Sequence, residues 1–247
     1  MSTPSMSELR KSYQENGWVM VEGVFSAEEI ESVCREAMEI SAKELKDSEA
    51  GYGADIAEDG TLAPRKIDHP FRKSAIFRQA ALNRKLGGIL EHLLERKPLL
   101  ARDQIFMKPP RFGSAKPYHQ DNAYFLCEPA DDVITAWIAM DDVDEENGCL
   151  RYIDGSHKLG LVPHEPIPGE PHNKAPRADL VDLSREKLGC VRKGGVLIHH
   201  GYTLHTSHRN HSERWRRAYA THWVTDRAVS SIGILDDAIF LSELYPK

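Results

Sequence analysis

Before residue 100 the apolar positions of this chain fall mostly at helical spacing; after it they fall mostly in short runs. Gly17-Trp18-Val19-Met20-Val21-Glu22-Gly23-Val24 follows a polar start and is a β-type run bounded by glycines. Ser26-Ala27-Glu28-Glu29 has the form of a capping box and predicts a helix start. Ile30, Val33, Cys34, Ala37 and Met38 then share one helical face, which reads as core packing. From Lys46 to about Lys66 the periodicity is lost, so this stretch is expected to be a lid or a disordered loop. A second helical region is expected from about Ser74 to Glu95, with a bend or break at Gly87-Gly88.

Strand patterns take over from there. Asp103–Lys108 runs into a Pro109-Pro110 stop, Tyr118–Tyr124 reads as a strand, and Val133–Met140 is apolar on both faces like a buried central strand. Glu146-Asn147-Gly148 is a turn before Cys149–Ile153, and Gly194–His199 and Ala218–Val224 are the last two strands. Short strands joined by turns predict a mainly β sandwich or barrel, with the preceding helices on the outside of one sheet. Gly160–Lys187 has little periodicity and is expected to arch over one end of it.

Composition narrows the function classes. With 40% apolar and 28% charged residues the chain has enough of each for a folded core and argues against extensive disorder. A net charge of −6 gives no footprint for nucleic acid or an anionic membrane surface, so a small-molecule partner is expected. No apolar run reaches the roughly 20 residues that span a bilayer, and Met1–Ser5 lacks the form of a signal peptide. Cys34, Cys127, Cys149 and Cys190 are scattered and read as reduced thiols of a cytoplasmic protein. The expected organisation is a single domain over 1–247: a helical flank and lid loop at 1–100, a β core at 101–226 and a tail at 227–247. Oligomeric state is left open.

The candidate chemistry begins at Pro117-Tyr118-His119-Gln120-Asp121. A His and a carboxylate two residues apart share one face of a strand and can meet at one metal ion. Two His plus one carboxylate form the facial triad of non-haem Fe(II) oxygenases, which leaves positions open for co-substrate and O2. Among His199, His200, His205, His208, His211 and His222, the third ligand is expected at His205, which follows a strand and a short turn and precedes a basic cluster. An anionic co-substrate beside the metal calls for a fixed cation, and Arg214, Arg216 and Arg217 are within a dozen residues. Spacing does not choose between Arg216 and Arg217.

These stretches, together with Met107-Lys108-Pro109-Pro110, Ala136-Trp137-Ile138-Ala139-Met140, Glu146-Asn147-Gly148-Cys149-Leu150, Gly155-Ser156-His157-Lys158 and His205-Thr206-Ser207, resemble the phytanoyl-CoA dioxygenase family of Fe(II)- and 2-oxoglutarate-dependent oxygenases. The resemblance implies a double-stranded β-helix (a cupin-like jelly roll) with flanking N-terminal helices. It implies Fe(II) on His119, Asp121 and His205, and 2-oxoglutarate and O2 as co-substrates. Arg216 would pair with the distal carboxylate of 2-oxoglutarate, helped by Ser207, and Trp137 would line that pocket or simply sit in the core. Lys108 matches a family lysine, and is either functional or a strand-end surface residue. His157 is expected to fix a loop. Relatives that halogenate carry a small residue in place of the carboxylate, so Asp121 implies hydroxylation over halogenation, with desaturation, epimerisation and ring closure open to the same site. Thr206 stands where the family usually has Gly. The competing class is a cupin-like metal-binding barrel, an isomerase or binding protein, which would have no use for a buried arginine. Arg65, Lys66, Tyr118, Tyr124, His164 and His172 are the open candidates for substrate contact, and no basic patch for CoA is visible.

Overall fold

The computed structural model describes residues 4–48, 51–235 and 238–240. The expectations about the first residues and about the tail 227–247 therefore lie partly outside the described residues. The polar start is in fact a helix, α1 (Met6–Asn16), because Ser5 and Glu8 cap it reciprocally: the Glu8 N–H donates to Ser5 Oγ and the Ser5 N–H to the Glu8 carboxylate. Gly17 ends it at φ +83°, and a side chain there would also collide with His157 and Thr203.

The chain continues through β1 (Trp18–Val21), α2 (Ala27–Glu44), a small hairpin of β2 (Ala54–Ile56) and β3 (Leu62–Pro64), β4 (Lys66–Asp68), α3 (Pro70–Lys73), α4 (Ala75–Ala81) and α5 (Arg84–Leu94). The expected loop at 46–66 thus carries short strands. The break in the second helical region falls at Leu82-Asn83, where the Asn83 side chain accepts from the N–H groups of Lys85 and Leu86 and starts α5. Gly87 and Gly88 lie inside α5 and do not bend it out of one helix.

After the helices come β5 (Leu99–Lys108), β6 (Lys116–His119), α6 (Asn122–Phe125), β7 (Cys127–Glu128), β8 (Ile134–Ala139) and β9 (Leu150–Ile153). The expected arch is a hairpin of β10 (His164–Ile167) and β11 (Glu170–Pro176), then β12 (Glu186–Gly189). β13 (Val196–His200), β14 (His205–Ser207), β15 (Arg216–Val224), β16 (Val229–Ser230) and β17 (Ile239–Phe240) complete the described elements.

Two antiparallel sheets organise these strands. The larger runs β1-β13-β8-β15-β5-β17, with β4 also on β5; the smaller runs β12-β9-β14-β6. Strand alternation explains why β8 is apolar on both faces. Ile134, Ala136 and Ile138 pack with Ile30, Phe77, Leu86 and Leu90 from the helices, which cover the outside of the large sheet as expected. Trp137 and Ala139 point the other way and join Leu197, Ala218 and Ala220 against Leu150 and Tyr152 of the small sheet. Fully buried side chains of this kind contribute roughly 1.5–3 kcal/mol each. The interval between the two sheets holds the polar residues described next. Among the described residues no helix is long and apolar enough to cross a membrane, and all four cysteines are free.

Candidate metal centre and co-substrate pocket

β6 ends at His119, and the chain turns at once into α6, with Asp121 in helical conformation as the residue before it. The expected strand from Tyr118 to Tyr124 is therefore wrong, and His119 and Asp121 do not meet by sharing a strand face. They meet because the chain turns between them. Gln120 drives that turn: fully buried, it donates to the carbonyls of Gly160 and Tyr202 and accepts from the Val162 N–H. β14 lies beside β6 with His205 opposite His119. Ligand atoms of His119, Asp121 and His205 all fall within 4.8 Å of one another, and all three residues are buried. Thr206, in place of glycine, turns its hydroxyl onto the Lys116 carbonyl at 2.6 Å and ties the two strands together.

The hydrogen bonds fix which atoms face the centre. His119 Nδ1 lies 2.9 Å from the Pro117 carbonyl and His205 Nδ1 2.9 Å from the Thr203 carbonyl. A carbonyl can only accept, so both Nδ1 atoms carry the proton and both Nε2 lone pairs are free. Those Nε2 atoms lie 3.5 and 3.7 Å from Asp121 Oδ1. Burial lowers the pKa of both imidazoles and keeps them neutral, the form that binds a cation. Burial alone would raise the Asp121 carboxyl, but the hydrogen bonds it accepts amid the surrounding histidines, with His199 Nε2 as a donor, hold the group well below the ordinary carboxylate range.

Asp121 Oδ2 is held from the far side. Thr135 Oγ1 donates to it at 2.7 Å and His199 Nε2 at 3.0 Å, while His199 Nδ1 accepts from the Tyr152 hydroxyl at 3.1 Å. One hydroxyl proton serves one acceptor, so Thr135 in turn accepts from His222 Nδ1 at 2.9 Å, which leaves His222 Nε2 a buried lone pair with no partner among the described residues. The sequence reading missed these three supports. Their signal was present: Thr135, His199 and His222 sit in register on neighbouring strands β8, β13 and β15, as polar residues inside otherwise apolar runs.

A cavity of about 680 Å³ opens on the triad and extends to Arg216. Lys108, Trp137 and Ser207 also line it. Arg216 and Arg217 part company here. Arg217 makes a bidentate pair with Asp141 at 2.6 and 2.9 Å. Arg216 points inward, is 3% exposed, and makes no ion pair among the described residues. Its Nε is buried without a partner, its Cζ lies 5.4 Å from the Trp137 ring centre, and burial pulls its pKa to about 10. Trp137 is thus both core and pocket wall. Lys108 is not a surface residue: it is buried, and its ammonium donates to the carbonyls of Ser114 (2.6 Å), Ser207 (3.3 Å) and His208. Three donors are spent on three carbonyls, which pins the backbone beside Ser207 to the loop after β5.

Of the open candidates for substrate contact, Arg65, Lys66, Tyr124 and His172 line the cavity. Tyr118 instead donates to Glu186, and His164 Nε2 accepts from the Gln120 N–H. His157 Nε2 lies 3.2 Å from the Gln14 carbonyl and packs under Gly17, the loop-fixing place expected of it.

The donor set fits a divalent first-row metal: two neutral imidazoles and one carboxylate, each oriented by a second hydrogen bond. The unpaired buried arginine in the same cavity fits a dicarboxylate co-substrate. Comparison with known proteins agrees. "Phytanoyl-CoA dioxygenase domain-containing protein 1" of Mus musculus is 27% identical, covering 90% of this chain and 90% of the relative. "Phytanoyl-CoA dioxygenase, peroxisomal" of Homo sapiens is 27% identical over 88% of this chain and 68% of its own length. Among solved structures, the "non-heme alpha ketoglutarate dependent carbocyclase SnoK from nogalamycin biosynthesis" superposes with a TM-score of 0.75 at 23% identity, covering 96% of this chain and 92% of the other. The family described as "Phytanoyl-CoA dioxygenase (PhyH)" matches residues 13–218, a span that takes in the triad and Arg216. The chain therefore belongs to the phytanoyl-CoA dioxygenase family, oxidoreductases that use Fe(II), 2-oxoglutarate and O2.

Proposed function

We propose that this protein oxidises a C–H bond of a small-molecule substrate, normally to the alcohol, with release of succinate and CO2. In this reading His119, Asp121 and His205 hold the iron, and Arg216 binds the distal carboxylate of 2-oxoglutarate. The two facing sheets are then the halves of a double-stranded β-helix, and residues 1–247 act as one domain around it.

The observation that carries the reading is Arg216. A guanidinium buried without a carboxylate is costly, and it is retained where a ligand supplies the anion. When bound, iron with 2-oxoglutarate and O2 would supply the oxidising power for C–H cleavage, one oxygen atom of O2 going to the alcohol and the other to succinate as the co-substrate loses CO2. The chain's own residues do the rest. Nδ1 protons on His119 and His205, both committed to carbonyls, aim the two Nε2 atoms. Thr135 and His199 hold Asp121 so that Oδ1 faces the metal. The planar fork of Arg216 over Trp137 offers two parallel hydrogen bonds to a carboxylate and sets how deep the co-substrate sits. Trp137, Leu150 and Ala220 exclude water around it. A metal-binding barrel without oxygenase chemistry would have no role for that arginine.

The test is an anaerobic titration of metal-free protein with Fe(II) and then 2-oxoglutarate, read by the visible charge-transfer band of the chelate. A saturable band is expected. Metal binding with no band would exclude the oxygenase reading and favour a cupin-like binding protein.

A further inference from the structure

A chain of net charge −6 gathers cations on the cavity wall. Apart from Arg216 and Lys108, the cavity is lined by Arg65, Lys66, Arg102, Lys116 and Lys174, while Asp121 is its one lining carboxylate among the described residues. The fold supplies counter-ions for three of the five. Lys66 and Arg102 share Asp68, each at 3.2 Å from its Oδ1, and Arg65 lies 3.8 Å from Asp55. Lys116 and Lys174 have no carboxylate partner among the described residues.

Those two ammoniums are gathered at one place. Both lie against the ring of Tyr124, at 5.0 and 4.6 Å from its centre, and the same ring packs edge-on against His119 at 5.8 Å. They therefore flank the wall next to a triad residue. Lys116 spends two of its three donors on Asn173 Oδ1 and the Tyr124 hydroxyl, and Lys174 spends one on the Ala123 carbonyl. Each has donors left over. Burial draws Lys116 down to about 8 and lowers Lys174 as well. Neither cation is needed for 2-oxoglutarate, whose carboxylates are accounted for by the metal and Arg216. Lys116 starts β6, the strand that ends at His119, while Lys174 comes from β11, in the hairpin whose Pro166, Pro171, His172 and Asn173 also line the cavity.

We propose that the substrate carries an anionic group, a carboxylate or a phosphate, and that Lys116 and Lys174 bind it beside Tyr124 while the carbon to be oxidised reaches the triad. This rests on the oxygenase reading above and adds the substrate's chemical class.

The test uses protein loaded anaerobically with Fe(II) and 2-oxoglutarate, and four probes of matched chain: hexanoate, hexyl phosphate, hexanamide and hexylammonium. Binding is read as a shift of the chelate band without its loss. At least one anion is expected to shift the band at concentrations at least about tenfold below hexanamide, with hexylammonium weaker still. The order of hexanoate and hexyl phosphate tells a carboxylate from a phosphate. Lys116→Gln and Lys174→Gln are each expected to erase most of that preference, whereas Lys187→Gln, exposed on β12, keeps it. Equal binding of anion and amide overturns the proposal, as does failure of both anions to bind or loss of the band because the probe displaces 2-oxoglutarate. So does a Lys116→Gln variant in which 2-oxoglutarate itself is weakened as much as hexanoate, since the lysine would then serve the co-substrate. Absence of the band before any probe is added is a different result: it removes the oxygenase reading first.

Discussion

The two ends of the cavity are built on opposite principles. At the triad end the protein commits nearly every polar atom. Each histidine's Nδ1 is tied to a carbonyl two residues before it, and Asp121 Oδ2 takes two side-chain donors. At the arginine end it commits almost nothing: Arg216 is buried, faces the cavity and has no anionic partner among the described residues. The neighbouring Arg217 makes the contrast sharper, since one step along β15 turns a side chain to the other face, where Asp141 is waiting. A metal ligand has to be presented in one tautomer and one direction, so its second hydrogen bond must be built in. A co-substrate brings its own charge, so its receptor is left open. In the proposed reading, fixed donors mark the metal end and an unpaired guanidinium marks the co-substrate end.

The largest effect should come from breaking the committed end. Asp121→Ala removes a ligand and strands the Thr135 hydroxyl and His199 Nε2 without an acceptor. Metal affinity is expected to fall by at least about a hundredfold, beyond the 10–100-fold typical of a lost supporting hydrogen bond, and 2-oxoglutarate turnover to fall to background. Competition with a chelator measures the first and succinate release the second. Full metal affinity and turnover in this variant would show that the triad is misassigned.

Breaking the open end should cost less and cost something different. Arg216→Ala is expected to weaken 2-oxoglutarate by about thirtyfold, the roughly 2 kcal/mol of a buried carboxylate that loses its charged partner, with metal affinity close to wild type. Arg217→Ala should leave co-substrate affinity alone and cost about 2 kcal/mol of stability, because the pair is only 17% exposed on either side and the Asp141 carboxylate loses two charged hydrogen bonds. The two variants read side by side in the anaerobic titration test the contrast directly. Equal 2-oxoglutarate affinity in both would mean that the unpaired arginine is not the receptor.

This division also governs what could be read from the sequence. The candidate ligands were legible, since His119, Asp121 and His205 are the residue types a facial triad needs and the structure brings them within 4.8 Å of one another. The route by which they meet was not: Asp121 follows a turn that depends on Gln120 reaching Gly160, Tyr202 and Val162, contacts 40 to 82 residues away. The large sheet was legible through its apolar runs, and the longer helices α2 and α5 through capping and periodicity, whereas α1, capped by Ser5 and Glu8, reads as a polar start and α6 falls in a stretch that reads as strand. Arg216 and Arg217 could not be told apart by spacing because the choice lies in which face Asp141 occupies. The cationic cavity was the least visible feature, as Arg65, Lys66, Arg102, Lys116 and Lys174 are spread over more than a hundred positions and meet only in three dimensions.

The smallest effect should come from loosening the committed end without removing a ligand. Thr135→Val keeps the shape of the side chain and deletes the hydroxyl, so Asp121 Oδ2 keeps only His199 and the proton on His222 Nδ1 loses its acceptor. The carboxylate can then rotate about its last bond, and Oδ1 no longer faces the two Nε2 atoms in one orientation. About a tenfold loss of metal affinity is expected, within the range for a supporting hydrogen bond, with the 2-oxoglutarate affinity of the metal-loaded protein little changed. Thr135→Ser returns the hydroxyl and should recover most of the affinity, which a simple packing defect would not do. If Thr135→Val binds metal as wild type does, His199 alone orients the carboxylate. Thr135 on β8 and His222 on β15 would then be features of the core, and only His199 of that row would serve the metal site.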